Sequence, residues 1–369
     1  MNTPCQLDAF QVPLGVHLLS GLVEKFSNWW VRLGNLESAT LRDQLQGLAI
    51  DRPIYVSGIA RAGTTIVLEL LSRHPDLATH QYRDFPGQFI PAWWNRGQNP
   101  KPAPVQERAH GDRLQVSLDS PEAMEESLWM AFFADLHRSD RSNILDRTID
   151  NPAFEKFYRD HIRKLLLVRA RPRYLAKGNY NLTRMAYLQK FLPDARFVVV
   201  VRNPREHIAS LTKQHRLFCA GETAYPRALA HMQRVGHFEF GLDRRPICIG
   251  DQVAQEVCDL WNRGEEVRGT ARYWASVYGW LADQLANDSE LAAATKIVRY
   301  ENLCENPHEI LSTLLAHCEL EPASPLDEFA SQIALPKYYT PNFSEREETI
   351  IAEETAAVAE RFADLCLIP

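Results

Sequence analysis

The sequence lacks the features that mark membrane, secreted and nucleic-acid-binding proteins. No stretch approaches eighteen consecutive apolar residues, and no basic leader precedes the first apolar residues, so we expect neither a membrane span nor a secretory signal. The formal net charge is -6 and no long basic run is present, which argues against a nucleic-acid surface or a polybasic membrane anchor. These absences predict a cytoplasmic protein without a nucleic-acid partner.

Paired cysteines are also missing. The 7 cysteines stand singly, with no C-x-x-C pair and no histidine cluster at the spacing of metal ligands. Such a pattern favours reduced thiols over disulfides and gives no sign of a metal site.

What the sequence does contain is an alternation of strand and helix patterns over 369 residues. Short apolar runs at 54–58, 173–177, 195–201 and 295–300 predict strands, and the four consecutive valines of the third are typical of a central strand buried on both faces. The alternation predicts an α/β fold with three layers, in which helices flank a parallel sheet of about four or five strands. We expect a single domain over residues 1–369, with an N-terminal helical extension at 1–50.

Helices are predicted between these strands. Residues 151–169 have helical spacing, and prolines at 204 and 307 are suited to first helical positions. The segment DSPEAMEESLWMAFFADLH is predicted to be a helix capped by Asp119 or Ser120. Residues 75–118 show neither the helical nor the strand period of apolar residues. A loop of that length in a compact domain is usually functional or mobile.

The sharpest local pattern is Gly58-Ile59-Ala60-Arg61-Ala62-Gly63-Thr64-Thr65, between a predicted strand and a predicted helix. Its glycine spacing is that of a phosphate-binding loop, in which backbone N–H groups and a helix N-terminus surround an anion. A nucleoside triphosphatase or kinase would carry lysine where Thr64 stands. The pattern therefore predicts phosphate binding but argues against ATP hydrolysis.

Three segments together resemble the sulfotransferases that use 3′-phosphoadenosine 5′-phosphosulfate (PAPS). PIYVSGIARAGTTIVLELLSRHPDL resembles their 5′-phosphosulfate loop, RFVVVVRNPREHIASL is similar to their 3′-phosphate segment, and KIVRYENLCENPHEIL resembles a late strand followed by a helix. The matches span most of residues 53–320. They imply the P-loop-like fold of that family, with PAPS as donor.

The resemblance also implies roles for individual residues. The loop would hold the 5′-phosphosulfate, with Arg61 beside the bridging oxygen, where a fixed cation stabilises the charge that develops as the group leaves. A guanidinium at position 202 would grip the 3′-phosphate. The implied donor-binding residues are Arg61, Ala62, Gly63, Thr64, Thr65, Arg202, Ser210 and Tyr300. Lys177 resembles a lysine of bacterial members and would either contact the donor or acceptor or be a structural residue at a strand end.

The group that removes the acceptor proton is left open. Related enzymes place a histidine or carboxylate soon after the phosphate-loop helix, where Asp84 is our first candidate and His80 the second; His110 and Asp112 follow in the long loop. Asp84 could instead pair with Arg83 or cap a turn.

The acceptor cannot be identified from the sequence. A hydroxyl or amine of a small molecule, a lipid or a carbohydrate would fit, and Phe89, Trp93 and Trp94 would either line the acceptor pocket or pack in the core.

We expect direct in-line transfer without a metal ion. The alternatives are a phosphate-loop kinase and a non-catalytic nucleotide-binding scaffold. A homodimer is the expectation for oligomeric state.

Overall fold

A parallel sheet lies at the centre of the computed structural model, which describes residues 7–97, 106–107, 115–138, 140–250, 252–335 and 341–365. Its strands are β1 (Ile54–Ser57), β2 (Leu77–Ala78), β5 (Arg173–Lys177), β6 (Arg196–Val201) and β7 (Thr295–Arg299), in the order β2-β5-β1-β6-β7. A separate antiparallel pair joins β3 (Gln106–Glu107) to β4 (Gln115–Val116). All neighbours in the central sheet are parallel, so the predicted sheet of four or five parallel strands is confirmed.

Helices surround this sheet. In chain order they are α1 (Leu14–Lys25), α2 (Ser27–Thr40), α3 (Arg42–Gln46), α4 (Thr64–Ser72), α5 (Pro91–Arg96), α6 (Glu126–Phe132), α7 (Pro152–Arg169), α8 (Met185–Phe191), α9 (Pro204–Ala224), α10 (Pro226–Val235), α11 (Val253–Asn262), α12 (Glu266–Asn287), α13 (Ser289–Ala293), α14 (Tyr300–Glu305), α15 (Pro307–Cys318), α16 (Ser324–Ala330) and α17 (Glu345–Leu365). Short 3₁₀ turns lie at Asp8–Phe10, Tyr82–Asp84 and Asn179–Thr183. No helix within the described ranges is long and apolar enough to cross a bilayer.

The two faces of the sheet are buried in separate apolar cores. Tyr55 of β1 and Phe197 of β6 point into a core that includes Trp274 and Tyr278 of α12. Their neighbours Val56 and Val198 point to the opposite side, into a core formed with α4 and α15. Because successive strand residues alternate between faces, a strand covered on both sides must be apolar throughout. The valine run of β6 thus takes the central position expected for it.

One helix begins later than the sequence pattern predicts. The helix expected from Asp119 or Ser120 starts only at Glu126. The preceding residues instead pair with the segment after β2: Tyr82 N donates to Ser120 O at 3.1 Å, and Glu122 N donates to His80 O at 3.1 Å. These backbone hydrogen bonds replace the first helical turns, and cap-like residues cannot reveal such a long-range pairing.

Candidate active site

The loop between β1 and α4 is held very close to its neighbours. Gly63, the N-cap of α4, has φ 108°, and a Cβ there would lie 2.4 Å from the ring of Tyr300. A Cβ on Gly58 would lie 2.5 Å from the carbonyl oxygen of Val200. Both positions require glycine, one for its backbone conformation and close contact, the other for close contact with β6. The loop pattern therefore reflects a tight strand-to-helix turn, as phosphate loops have.

Residues of α9 and α12 that do not stand out in the sequence also fix the loop. His207 of α9 donates from Nε2 to the carbonyl oxygen of Ala60 at 2.8 Å and accepts at Nδ1 from Trp274 at 3.1 Å. Burial lowers the pKa of His207 to about 3, so the ring is neutral and its partners fix the tautomer. Tyr278 accepts from Ile59 N and donates to β6. These hydrogen bonds connect the loop backbone to α9, α12 and β6.

Arg61 joins this loop to the second motif. Its backbone takes the left-handed conformation, φ 71°, which is uncommon for a residue other than glycine. Its Nε lies 3.3 Å from Oγ of Ser210 and its carbonyl oxygen accepts from Arg202 at 3.3 Å. Two motifs that lie about 140 residues apart in the sequence thus meet at the carboxyl ends of β1 and β6, where open parallel sheets bind ligands.

Arg202 follows β6, and its guanidinium group can donate a further hydrogen bond. Its guanidinium lies 4.9 Å from the centre of the Tyr300 ring, a cation–π contact. Its Nε is buried and has no hydrogen-bond partner among the described residues. A buried donor without an acceptor is costly, so this nitrogen suits an anionic ligand.

These residues line a cavity of about 1150 Å³. One set of its side chains is cationic: Arg61, Lys177, Arg202, Arg205 and Lys213. Another set carries carboxylates: Asp8, Glu122, Glu125, Glu126, Glu206 and Glu239. Of the predicted donor-binding residues, the cavity lining includes Arg61, Gly63, Thr64, Thr65, Arg202, Ser210 and Tyr300. The remaining one, Ala62, is fully buried in the core beside the sheet.

The structure places Asp84 and His80 outside the cavity lining, in a buried cluster. Asp84 is 0% exposed and accepts two hydrogen bonds from Arg169, at 2.6 and 2.7 Å. It also accepts from Gln81 N at 2.9 Å and Asn95 Nδ2 at 3.0 Å, and His80 Nδ1 lies 3.2 Å away. We call these residues, together with His161 beside His80, the Asp84 cluster.

The charge state of Asp84 follows from these partners. Burial raises its pKa, but the hydrogen bond and electrostatic attraction to His80 and the attraction to Arg169 outweigh burial and hold the pKa below its usual range. A carboxylate with so low a pKa and so many donors is a weak proton acceptor. The roles predicted for Asp84 and His80 in proton removal stay predictions, and their surroundings are those of a structural ion pair.

Other sequence candidates have different positions. His110 and Asp112 lie outside the described residues. Phe89 packs against Phe157 in a buried core, and Trp94 donates to the carbonyl oxygen of Arg83 at 2.9 Å. None of the three aromatic residues Phe89, Trp93 and Trp94 is among the lining residues.

Most of the wall away from the phosphate loop was missed by the sequence analysis. Aromatic and apolar side chains there include Tyr82, Phe85, Met124, Trp129, Tyr180 and Phe240. Two histidines, His231 and His237, lie among them. These residues come from segments far apart in the chain and share no period, so their meeting could not be read from spacing. A local clue was a histidine and a glutamate two residues apart in VGHFEFG, directly after a helical pattern.

Among the residues described, no group of three or more histidine, cysteine, aspartate or glutamate side chains could hold a metal ion. The groups that meet at the phosphate loop include the guanidinium groups of Arg61 and Arg202 and the hydroxyl of Ser210. Such a set suits an anion.

Comparison with known proteins identifies the family of this chain. The sequence profile of the sulfotransferase family matches residues 53–239, just over half of the chain, which includes the phosphate loop and the Arg202 segment. The chain belongs to the sulfotransferase family, and its enzyme class is therefore that of a sulfotransferase. None of the curated proteins gives a significant match to the whole sequence.

Solved structures with a similar chain path are bacterial sulfotransferases. Sulfotransferase STF1 from Mycobacterium tuberculosis is 18% identical, with 97% of this chain and 90% of that chain covered and a TM-score of 0.46. STF9 from Mycobacterium avium is 14% identical, with 89% and 80% covered and a TM-score of 0.48. A sulfotransferase from Alicyclobacillus acidocaldarius is 16% identical, with 86% and 96% covered and a TM-score of 0.40.

Proposed function

We propose that the protein transfers a sulfuryl group from PAPS to a hydroxyl or amine of an acceptor that enters the wide part of the cavity. The observation that carries the proposal is the meeting of the two predicted donor motifs at one end of that cavity, through the contacts of Arg61 with Ser210 and Arg202. Sulfotransferase activity follows from the family; the donor's identity is the proposed step.

The residues present suit an adenosine 3′-phosphate 5′-phosphosulfate. The loop N–H groups and the N-terminus of α4 would receive the 5′-phosphosulfate, and Arg202 with Ser210 would hold the 3′-phosphate. The buried Nε of Arg202, without an acceptor in the described structure, supports this assignment. Arg61 would neutralise charge on the departing bisphosphate, which is the main requirement of the transfer.

The kinase alternative has weaker support. Thr64 opens α4 where a kinase of this loop type has its lysine, and the sulfuryl group needs less charge neutralisation than a phosphoryl group. A scaffold that binds the nucleotide without turnover would keep the same contacts, so a measurement of turnover separates it from a sulfotransferase.

A thermal-shift experiment tests the donor assignment. Adenosine 3′,5′-bisphosphate, the desulfated product of PAPS, should raise the melting temperature with concentration, because a ligand that binds only the folded state stabilises it. ATP with magnesium should not. Arg202→Ala should lose the shift, and Arg216→Ala, an exposed arginine on α9 outside the cavity lining, should keep it. A shift with ATP and magnesium alone would contradict the proposal and favour a kinase.

A further inference from the structure

Helices α1 and α2 expose large apolar side chains on one part of the surface. Six of them are between 43% and 61% exposed, and we call these six the outer apolar face: Leu14, Leu18, Leu22, Phe26, Trp29 and Leu36. Within the described ranges, only three further residues of this kind, Leu118, Leu242 and Leu335, are exposed elsewhere. Single exposed apolar residues are common, but a concentration of this size marks an interaction surface.

The inner sides of the same helices already have their own partners. Val23 of α1 is buried in a core that also holds Phe157 of α7. Glu37 of α2 forms an ion pair with Lys164 of α7 at 3.0 Å, and both side chains are 0% exposed. A helix with apolar residues on one side packs that side on the core, whereas a helix with apolar residues on both sides is normally buried on both. The outer apolar face therefore lacks the cover that its composition predicts.

The spacing of the apolar residues is that of a helix which packs on another helix. Leu22, Phe26, Trp29, Leu33 and Leu36 follow one another at steps of four, three, four and three residues. The repeat passes through Phe26, where α1 ends and α2 begins. Alternating steps of four and three place side chains on one side of a helix, as at the seam of a coiled coil.

The charges around the face suit a protein partner better than a bilayer. Two cations lie over its aromatic rings: Lys25 Nζ is 5.7 Å from the centre of the Phe26 ring, and the Arg32 guanidinium is 5.6 Å from that of Trp29. Tryptophan and arginine are typical of protein interfaces. A helix that lies on a membrane usually has many lysines and arginines, and the net charge of -6 does not favour an anionic bilayer.

The area of the face matches the requirement of a dimer. Half-exposed side chains of this size present on the order of 100 Å² each, or about 600 Å² for the six. Two copies would bury about 1,200 Å² before any polar neighbour is counted, which reaches the size of a stable protein interface. We infer that the outer apolar face is the interface of a homodimer, in which it packs on the same face of a second copy about a two-fold axis. This inference is independent of the proposed donor.

Sedimentation velocity of the full chain at micromolar concentrations tests the interface. The wild-type protein should sediment as a dimer. Leu18→Glu and Trp29→Glu each place a carboxylate in the apolar contact and should raise the dimer Kd by about 30-fold or more, the effect of losing one central interface residue. Leu242→Glu is the matched control, because Leu242 is 55% exposed but lies outside the face, and it should remain dimeric. Circular dichroism should show the same helix content in all four proteins.

Two results would overturn the inference: a wild-type protein that is monomeric throughout, or a dimer that persists in both Leu18→Glu and Trp29→Glu. Flotation with vesicles of phosphatidylcholine, with and without phosphatidylserine, examines the membrane alternative. A monomer that floats with vesicles, and no longer does so as Trp29→Glu, would assign the face to a membrane instead. None of the six residues lines the cavity, so the thermal shift with adenosine 3′,5′-bisphosphate reports separately on the donor.

Discussion

The Asp84 cluster and the cavity wall around His237 are built from the same residue types but differ in surroundings. In the cluster, Asp84 is fully buried and accepts hydrogen bonds from Arg169 and its other neighbours. At the wall, Oε1 of Glu239 accepts a hydrogen bond from Asn179, and Nδ1 of His237 lies 3.3 Å from Oε2 without forming a hydrogen bond to it. Both His237 and Glu239 line the cavity. The two regions therefore differ in access: the carboxylate of Asp84 is enclosed, whereas Glu239 lines the cavity.

The largest effect expected is on stability, in the Asp84 cluster. Asp84→Ala leaves the guanidinium of Arg169, 11% exposed, without its carboxylate, and removing one partner of a buried ion pair costs about 3–5 kcal/mol. Denaturant titration should show that loss in the free energy of unfolding, while the folded fraction still binds adenosine 3′,5′-bisphosphate.

A matched surface pair provides the control. Asp119→Ala breaks a contact between Arg83 and an aspartate that is 66% exposed, and exposed pairs contribute about 0–1 kcal/mol. If Asp84→Ala instead kept its stability and lost turnover, Asp84 would be the base and the contrast between the two regions would fail.

The next largest effect is on rate, at the phosphate loop. Arg61→Ala should lower turnover by about 10²- to 10³-fold, which is typical of removing one fixed donor at a developing charge, with little change in the unfolding free energy. Arg61→Lys keeps a cation and should retain most of the activity. Equal losses in both variants would indicate that the backbone conformation at this position, not the charge, carries the effect.

The smallest effect expected is a change in acid stability. Burial raises the pKa of Glu126, but the charges of Arg184 and His137 and their hydrogen bonds outweigh it and lower the pKa to about 2. The unfolded chain therefore binds this proton at higher pH than the folded one, so stability is lost as pH falls from about 4.3 towards 2.

Comparing variants isolates this contribution. Glu126→Gln cannot bind the extra proton on unfolding and should show a shallower loss of unfolding free energy between about pH 5 and pH 3 than wild type does. Parallel slopes would mean that Glu126 is not protected from protonation in the folded state.

The sheet was largely predictable from sequence because its strands have strong local patterns. The run before Arg202 and the segment RYLAK predict β6 and β5 at the bounds that the structure shows, within a residue. The glycines of the phosphate loop also have a local cause, since a Cβ at either would clash with a neighbour. The order of the strands was not predictable, because patterns within single strands carry no information on their neighbours.

Residues of the candidate site could be predicted only where they stand in a short sequence motif. Arg61 and Arg202 stand in such motifs, and the structure brings them together. Glu239 and Asn179 come from two separate segments that meet through a side-chain hydrogen bond. Asp84 had the residue type and the position in sequence that suggest a base, but its pairing with Arg169, 85 residues away, depends on how α7 packs. Burial and partners of this kind are properties of the folded chain alone.

The donor assignment is tested most directly by calorimetric titration of the wild-type protein with two nucleotides that differ by one phosphate. Adenosine 3′,5′-bisphosphate should bind about 10- to 100-fold more tightly than adenosine 5′-phosphate, without magnesium, because charge-assisted hydrogen bonds from Arg202 to the 3′-phosphate contribute about 1.5–3 kcal/mol. Equal affinity for the two nucleotides, or binding only of ATP with magnesium, would contradict the proposed PAPS site.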